Sequence, residues 1–352
     1  MTSNKKILLI TDQHFGARND NQVFLDKYQQ FYSGTVIPFI KKNKIEQIIC
    51  LGDTFDKRKA INFHSLDSAR EMWFDPLKEM GVQMTMLIGN HDIYYKNTIK
   101  TNAPQQLLGE YDNIEILTEP CYRTFNGVRI LMLPWICDDN RKKIHQMVDE
   151  SDAKVCFGHL ELSTFEALPG IVMDHGDDPT RYEKFDLVCS GHFHMKSKRG
   201  NINYLGNPYQ LYWSDYGQRR GFHTLNTSNL RLSFHKNPHN IFNKVYYDDI
   251  RTSYDVPPDS TSLTGSFVKL IVHNRENQVW FDRYIHHLQE VGVADLKIIE
   301  DVTLELKEAD EAVKMEDTVT ILEQYVNDLD DSIDKPNVVK ILKSLYTEAI
   351  NI

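Results

Sequence analysis

The sequence predicts an α/β sandwich with central sheets, followed by a smaller βαβ-like domain and terminal helices. Two observations predict it. Short apolar runs without alternation recur along the first 190 or so residues, as strands buried on both faces do. Longer stretches with helical character lie between several of them, and alternating strand and helix implies layered α/β architecture.

The elements follow in order. Residues 6–11 (KILLIT) read as the first strand, 24–43 as a helix and 46–51 (EQIICL) as the second strand. Residues 65–80 are helix-like, and 83–88 (QMTMLI), 128–133 (VRILML), 154–157 (KVCF) and 185–189 (FDLVC) are further strands. Past about residue 225 the character changes. Residues 250–265 carry Pro257-Pro258 among many Ser and Thr, the composition of a linker. A strand (266–273), a helix (279–291) and a strand (296–306) come next, and then two helical patterns. In the last pattern Val338, Ile341, Leu342, Leu345, Tyr346 and Ala349 share one face. A short apolar stripe of this kind must dock, either on its own chain or on a partner.

Composition sets limits. The 352 residues are 41% hydrophobic and 26% charged, ordinary globular values with length enough for two domains. Mean hydropathy is −0.46, and no apolar run approaches the roughly 18 residues of a membrane span. The N-terminal apolar stretch ends in polar residues without a small-residue cleavage site, so it reads as a strand, not a signal peptide. Five scattered cysteines, never spaced CxxC, argue against a zinc ribbon or disulfide framework and suit a reducing cytoplasm. Of the net charge of −10, residues 300–352 hold −9, with 14 acids against 5 bases. The body is therefore near neutral. Basic clusters punctuate it at Lys57-Arg58-Lys59, at Lys196, Lys198 and Arg199, and at Arg219-Arg220.

Chemistry-bearing residues sit just past the strands: Asp12-Gln13-His14, Gly52-Asp53-Thr54-Phe55-Asp56, Gly89-Asn90-His91-Asp92, Gly158-His159 and Gly191-His192-Phe193-His194. Crevices at the carboxyl ends of strands are where α/β folds place their sites. Each motif alone is weak, since a lone Gly-His is a turn. Five in succession are not. Asp, His and Asn without thiolate suit borderline-to-hard divalent ions, and two such ions roughly 3.5–4 Å apart serve in-line phosphoryl displacement.

This constellation resembles the dinuclear metallophosphoesterase family over about residues 5–210. Within it, GNHD stands where phosphatases usually have GNHE, GDTFDKR replaces their GDxVDRG, and Tyr204-Leu205-Gly206-Asn207-Pro208 follows the last histidine pair. These features point to the nuclease subunits of the DNA double-strand-break repair complex, SbcD or Mre-eleven in type, with a version in T-even phages. The resemblance implies a two-sheet α/β sandwich of the calcineurin-like type, with a small α+β capping domain and C-terminal helices. The divisions expected are 1–225 (nuclease), 226–265 (connecting strand and linker), 266–310 (capping, DNA-binding) and 311–352 (acidic helical tail).

The resemblance also assigns roles. Asp12, His14 and His194 are expected on one metal, Asn90, His159 and His192 on the other, and Asp53 between them. The ions would be Mn²⁺ first and Mg²⁺ second, with a bridging water as nucleophile. His91 would steady the scissile phosphate or protonate the leaving oxygen, and Asp56 would orient His91 or pair with Lys57 or Arg58 at the surface. Arg18, Lys57, Arg58, Lys59, Lys196, Lys198 and Arg199 are candidates for holding the DNA backbone. Tyr94, Tyr95, Tyr209, Tyr212 and Trp213 are candidates for base stacking or for core packing. Expected partners are DNA and an SbcC-type coiled-coil ABC ATPase. Residues 335–350, above all Val338, Ile341, Leu342, Leu345 and Tyr346, would dock on the ATPase. The family also implies a homodimer within a heterotetramer, for which Leu66, Ala69, Met72, Trp73, Leu77 and Met80 offer an apolar face unless that face is core.

The expected activity combines 3′-to-5′ exonuclease action on duplex DNA with single-strand endonuclease action, in the cytoplasm (a host cell's, for a phage protein). Two other readings stand beside it: a phosphomonoesterase or cyclic-nucleotide phosphodiesterase on the same scaffold, and a non-catalytic scaffold for the ATPase. The second domain and terminal helix argue against the former, the complete ligand set against the latter.

Overall fold

The computed structural model describes residues 5–168, 171–300, 326 and 334–350. Two six-stranded sheets form the body. The first runs Arg231–Lys236, Gly221–Asn226, Lys6–Ile10, Gln47–Cys50, Gln83–Leu87, Ile114–Leu117. Its last four strands are parallel, and the Gly221–Asn226 strand lies antiparallel to Lys6–Ile10. The second runs Ser197–Arg199, Ile202–Tyr204, Leu187–Gly191, Val155–His159, Val128–Leu133, Cys121–Phe125, parallel at its centre with an antiparallel pair at each edge.

Alternate residues of both sheets fill the layer between them: Ile7, Leu9, Ile49 and Leu87 from one, Ile130, Met132, Val155 and Phe157 from the other. The intervening Leu8, Ile48, Met84 and Met86 are equally buried outside that layer. Both faces of the first sheet are therefore covered, which is why its strands lack alternation.

Two long helices flank the motifs. Gln22–Phe31 continues through a π turn at Tyr32–Val36 into Ile37–Asn43, and Phe63–Ala69 continues through a π turn at Arg70–Phe74 into Asp75–Glu79. Each π turn immediately precedes a segment with proline in its first turn, Pro38 or Pro76. A proline offers no N–H and its ring crowds the carbonyl four residues back, so the wider turn lets the helix pass without breaking. Leu66, Ala69, Met72, Trp73 and Leu77 are buried within this chain. The apolar face considered for dimerisation is thus taken up by the protein's own core.

The described chain divides into two compact units, 1–168 with 176–241 and 169–175 with 242–352. The 226–265 segment, expected to connect two domains, is accordingly shared between them. Arg231–Lys236 belongs to the first sheet, whereas Phe242–Asp248 is an edge strand of the second unit. That unit has a three-stranded parallel sheet, completed by Phe267–Asn274 and Asp295–Ile299, with the helix Gln278–Glu290 between these last two strands. Tyr254, from the Ser- and Pro-rich stretch, is buried against Tyr247, Phe281 and Tyr284. An aromatic anchor makes this loop part of the core, which composition alone does not disclose. The terminal helix spans Lys335–Ile350. The rest of the expected acidic tail, residues 311–325, 327–333 and 351–352, lies outside the described residues.

Truncation of Phe157, at the centre of the inter-sheet layer, leaves a void that two stiff sheets cannot close. Phe157→Ala is expected to cost about 3–5 kcal/mol, read as a lower urea midpoint.

Candidate metal centre

Burial of two carboxylates forces everything else about this site. Asp12 and Asp53 are each at most 1% exposed, and a buried charge must be matched by partners. Those partners come from the ends of four strands, Lys6–Ile10, Gln83–Leu87, Val155–His159 and Leu187–Gly191. His14, His159, His192 and His194 with Asn90 surround the two acids. Three sets of donor atoms each lie within 4.8 Å: Asp12, His14 and His194; Asp53, His159 and His192; and His14, Asp53 and His91.

Asp53 stands between the first two sets. Its Oδ2 is 3.8 Å from His14 Nε2 and 3.3 Å from His159 Nε2. Its Oδ1 instead accepts the main-chain N–H of His91 at 2.8 Å. The carboxylate therefore faces both ligand groups through one oxygen and is anchored through the other. On the far side Asn90 Oδ1 receives two imidazoles, His159 Nε2 at 3.0 Å and His192 Nδ1 at 2.9 Å. Asp12 accepts the His192 main-chain N–H on both oxygens, at 3.0 and 3.2 Å. His14 and His194 point their Nε2 atoms at each other, 3.0 Å apart.

Carbonyl groups set the tautomers. His159 Nδ1 lies 2.7 Å from the Leu51 carbonyl and His91 Nδ1 2.7 Å from the Asp56 carbonyl. A carbonyl only accepts, so each Nδ1 carries a hydrogen and it is Nε2 that faces inward, the nitrogen whose lone pair a cation would take. Buried acids, an amide oxygen and imidazole nitrogens so oriented are the donor set that a pair of divalent cations requires.

The backbone is distorted to achieve this. Asp12, His14, Asp53 and His192 all have positive φ, between 45° and 89°, a region that residues with a Cβ seldom occupy. Close approach adds a second demand. A Cβ on Gly52 (φ 101°) would lie 2.6 Å from His159 Nδ1, and one on Gly89 would collide with the Asp53 carboxylate.

The charges compensate one another. Burial opposes ionisation of Asp53, but His159, His91 and His14 hold its carboxyl well below the usual range. Asp12 goes the other way: burial, reinforced by the Asp53 charge, raises it despite His159 and His14. Burial alone would lower His14 and His159. The acids overcome it, Asp56, Asp53 and Asp12 for His14 and chiefly Asp53 for His159, and both are pushed up to about 9. His194 is held well below its ordinary value by burial, then by His14 and Arg220.

Three residues act here to which the sequence patterns assign no such role. Asp92, the last residue of GNHD, is wholly buried and accepts the N–H groups of Thr54, Phe55 and Gly89 at 2.9–3.2 Å, tying the second motif loop to the third. Burial and Asp53 raise its carboxyl to about 7. Arg220 donates to the His194 carbonyl and to Asn207 Oδ1, and pairs with Asp215 at 2.5 Å. In sequence it reads as half of a surface basic cluster; in the fold it is buried behind His194. Trp135 packs against the His192 ring at 4.9 Å.

Asp56 departs from expectation. Its main-chain carbonyl, not its carboxylate, receives His91, and the carboxylate lies 3.2 Å from His14 Nδ1. The Asp56 N–H donates to the Phe15 carbonyl, 41 residues earlier, which brings Asp56 against the first motif loop. Lys57 pairs with Asp20 instead.

The expected DNA contacts are dispersed. Arg18 sits over Tyr212, Lys59 over Tyr94, Lys196 over Phe234 and Arg199 over Phe165. Arg58 lines a cavity beside Lys57, and Lys198 is exposed on an edge strand. Tyr209 is buried and stacked on Tyr28 at 3.7 Å, so it packs the core and is closed to bases. Tyr94 and Tyr95 are exposed.

Protons and cations compete for this site. Below about pH 9 His14 and His159 hold protons that a cation must displace, so Mn²⁺ affinity is expected to rise with pH up to that value and then level. Calorimetry in buffers of different ionisation enthalpy reads the released protons; an affinity flat from pH 6.5 to 9 would contradict the assignment. Gly89→Ala is expected to weaken Mn²⁺ binding at least tenfold in the same titration.

Residues 5–196 match the family model described as calcineurin-like phosphoesterase. The chain is 31% identical over 356 residues to exonuclease subunit 1 of Enterobacteria phage T4, covering 98% of this chain and 99% of that protein. It is 34% identical over 203 residues to the DNA double-strand break repair protein Mre11 of Sulfurisphaera tokodaii, covering 55% of this chain and 50% of the other. Among solved structures, a dimetal phosphatase from Danio rerio aligns with 62% of this chain and 91% of its own, at a TM-score of 0.38 and 11% identity.

Proposed function

The chain belongs to the calcineurin-like phosphoesterase family, and from that premise we propose that it is a DNA nuclease that hydrolyses phosphodiester bonds with two divalent cations. The observation that carries the reading is Asp53 Oδ2, a single buried oxygen facing two separate sets of imidazoles. Asp12, His14 and His194 would hold one cation, Asn90, His159 and His192 the other, with Asp53 shared. The relatives named exonuclease subunit and double-strand break repair protein support DNA as substrate.

When bound, Mn²⁺ or Mg²⁺ would supply Lewis-acid charge and an activated water. The chain's own part is positional. The His91 N–H holds Asp53 Oδ1 and so keeps Oδ2 turned toward both groups. His91 presents Nε2 because the Asp56 carbonyl holds Nδ1. Burial lowers the His91 pKa, and an arriving phosphodiester brings the negative charge that favours a proton on Nε2. His91 thereby steadies the phosphate and can hand its proton to the leaving oxygen.

The nuclease would act as one subunit of a complex with a coiled-coil ABC-type ATPase, as a homodimer within a heterotetramer. The helix Lys335–Ile350 is the proposed ATPase contact. Ile341 on it is exposed, with Val338 and Leu342 half-buried beside it, and Leu345 and Tyr346 follow on the same helical pattern. Exonuclease action from 3′ ends and endonuclease action on single strands remain the proposed activities.

The test is incubation of the full chain with end-labelled linear duplex and circular single-stranded DNA, with Mn²⁺, Mg²⁺ or EDTA, beside a phosphomonoester. Cation-dependent DNA cleavage is expected. Asp53→Asn and His91→Asn are each expected to lower it at least 100-fold. Phosphomonoester turnover with intact DNA would overturn the nuclease reading.

A further inference from the structure

Two of the loops that meet at the metal centre continue beyond it and enclose a second cavity. One runs from Asp56 through Lys57 to Ile61. The other passes from His91 into a hairpin, Ile93–Tyr95 paired with Thr98–Asn102, and then the short helix Ala103–Leu107. The cavity between them is about 270 Å³, walled by Phe55, Ala60, Ile61, Tyr94, Ala103 and Leu107. Lys57, Arg58 and Lys59 line it as well, and Lys59 Nζ lies 5.4 Å from the Tyr94 ring centre.

Size, lining and charge each restrict the occupant. The volume falls just below the roughly 300–1,000 Å³ of pockets for drug-sized ligands, so it takes a single ring system. The walls are mostly apolar, and Tyr94 is 39% exposed, its ring flanked by Lys59 Nζ and met edge-on by Tyr95 at 4.6 Å. The cationic lining selects a ring carried on an anionic chain. Position adds a fourth restriction. The cavity begins at Phe55, next to the carbonyl that holds His91, and Tyr94 stands three residues past His91.

We propose that this cavity binds one unstacked nucleobase of the strand being cut, adjacent to the scissile phosphate, an inference that rests on the nuclease reading above. Stacking on an aromatic face tolerates any base, so the cavity selects for an unpaired nucleotide and not for a sequence. Withdrawing a base from its stack is cheapest where it is already unpaired. The cavity therefore favours single strands and frayed ends over intact duplex.

The test uses the full chain with Mn²⁺ and two substrates: a short single-stranded oligonucleotide with an abasic nucleotide walked along it, and methyl p-nitrophenyl phosphate, a diester with no base. Ala60→Trp fills the cavity from its exposed loop, and Tyr94→Ala removes the stacking wall. An abasic nucleotide at one position beside the cleaved bond is expected to raise KM about tenfold for the parent. Each variant is expected to raise the oligonucleotide KM by a similar factor, relative to its KM for the small diester. In the variants the abasic substitution is expected to add no further loss, because the same contact is already gone. Parent cleavage of the oligonucleotide that is indifferent to the abasic position, or losses from variant and abasic site that multiply, would overturn the cavity assignment alone. Turnover of the small diester with an intact oligonucleotide would overturn the nuclease reading and this inference together.

Discussion

One buried oxygen organises the site. Asp53 Oδ2 faces His14 on one side and His159 on the other, and such a charge cannot persist in a dry interior without partners. The other features follow from that. Asp12 supplies a second buried acid, the imidazoles balance both, and main-chain carbonyls hold two of the rings in the tautomer that directs Nε2 inward. Without the cations these groups compensate one another, two carboxyls shifted in opposite directions and two imidazoles raised to about 9. The site is electrically balanced but poised to exchange protons for metal.

Holding so many polar groups at contact distance demands a rigid frame. The two sheets provide it, because parallel strands end at one edge and deliver their loops there. The cost is local. Four of the polar residues adopt left-handed backbone, a strain that the surrounding bonds must hold. Asp92 ties two motif loops together through three N–H groups, and Arg220 clasps the carbonyl of His194. These residues touch no substrate in the proposed chemistry, yet they set the position of those that would.

Much of this is legible in the chain because buried parallel strands leave an unmistakable trace. Runs such as KILLIT and QMTMLI have no polar face, and each stops where the chemistry begins. The residues that would bind cations are legible for the same reason: Asp, Asn and His directly after such a run have few packing roles. What is not legible depends on contacts between distant parts of the chain. Asp56 turns to His14 because Phe15 captures its amide. Arg220 has the same local context as exposed Arg219, and only Asp215, Asn207 and the His194 carbonyl make its burial tolerable. The Ser- and Pro-rich stretch reads as a linker until Tyr254 is seen in the core of the second unit. The Leu66 to Leu77 stripe is equally suited to a core or an interface, and the fold uses it as core.

The strand Gly221–Asn226 pairs with Lys6–Ile10, and Arg220 immediately precedes it. The first motif is therefore made early in synthesis and its support late. At 5–20 residues per second, roughly 10–40 s separate the appearance of Asp12 from that of the arginine behind His194. Until residue 194 has been added the nascent chain carries its two buried acids without their full set of histidines, and until residue 226 the first strand has one edge unpaired. A centre assembled from both ends of its domain is thus complete only when nearly all of that domain has been made.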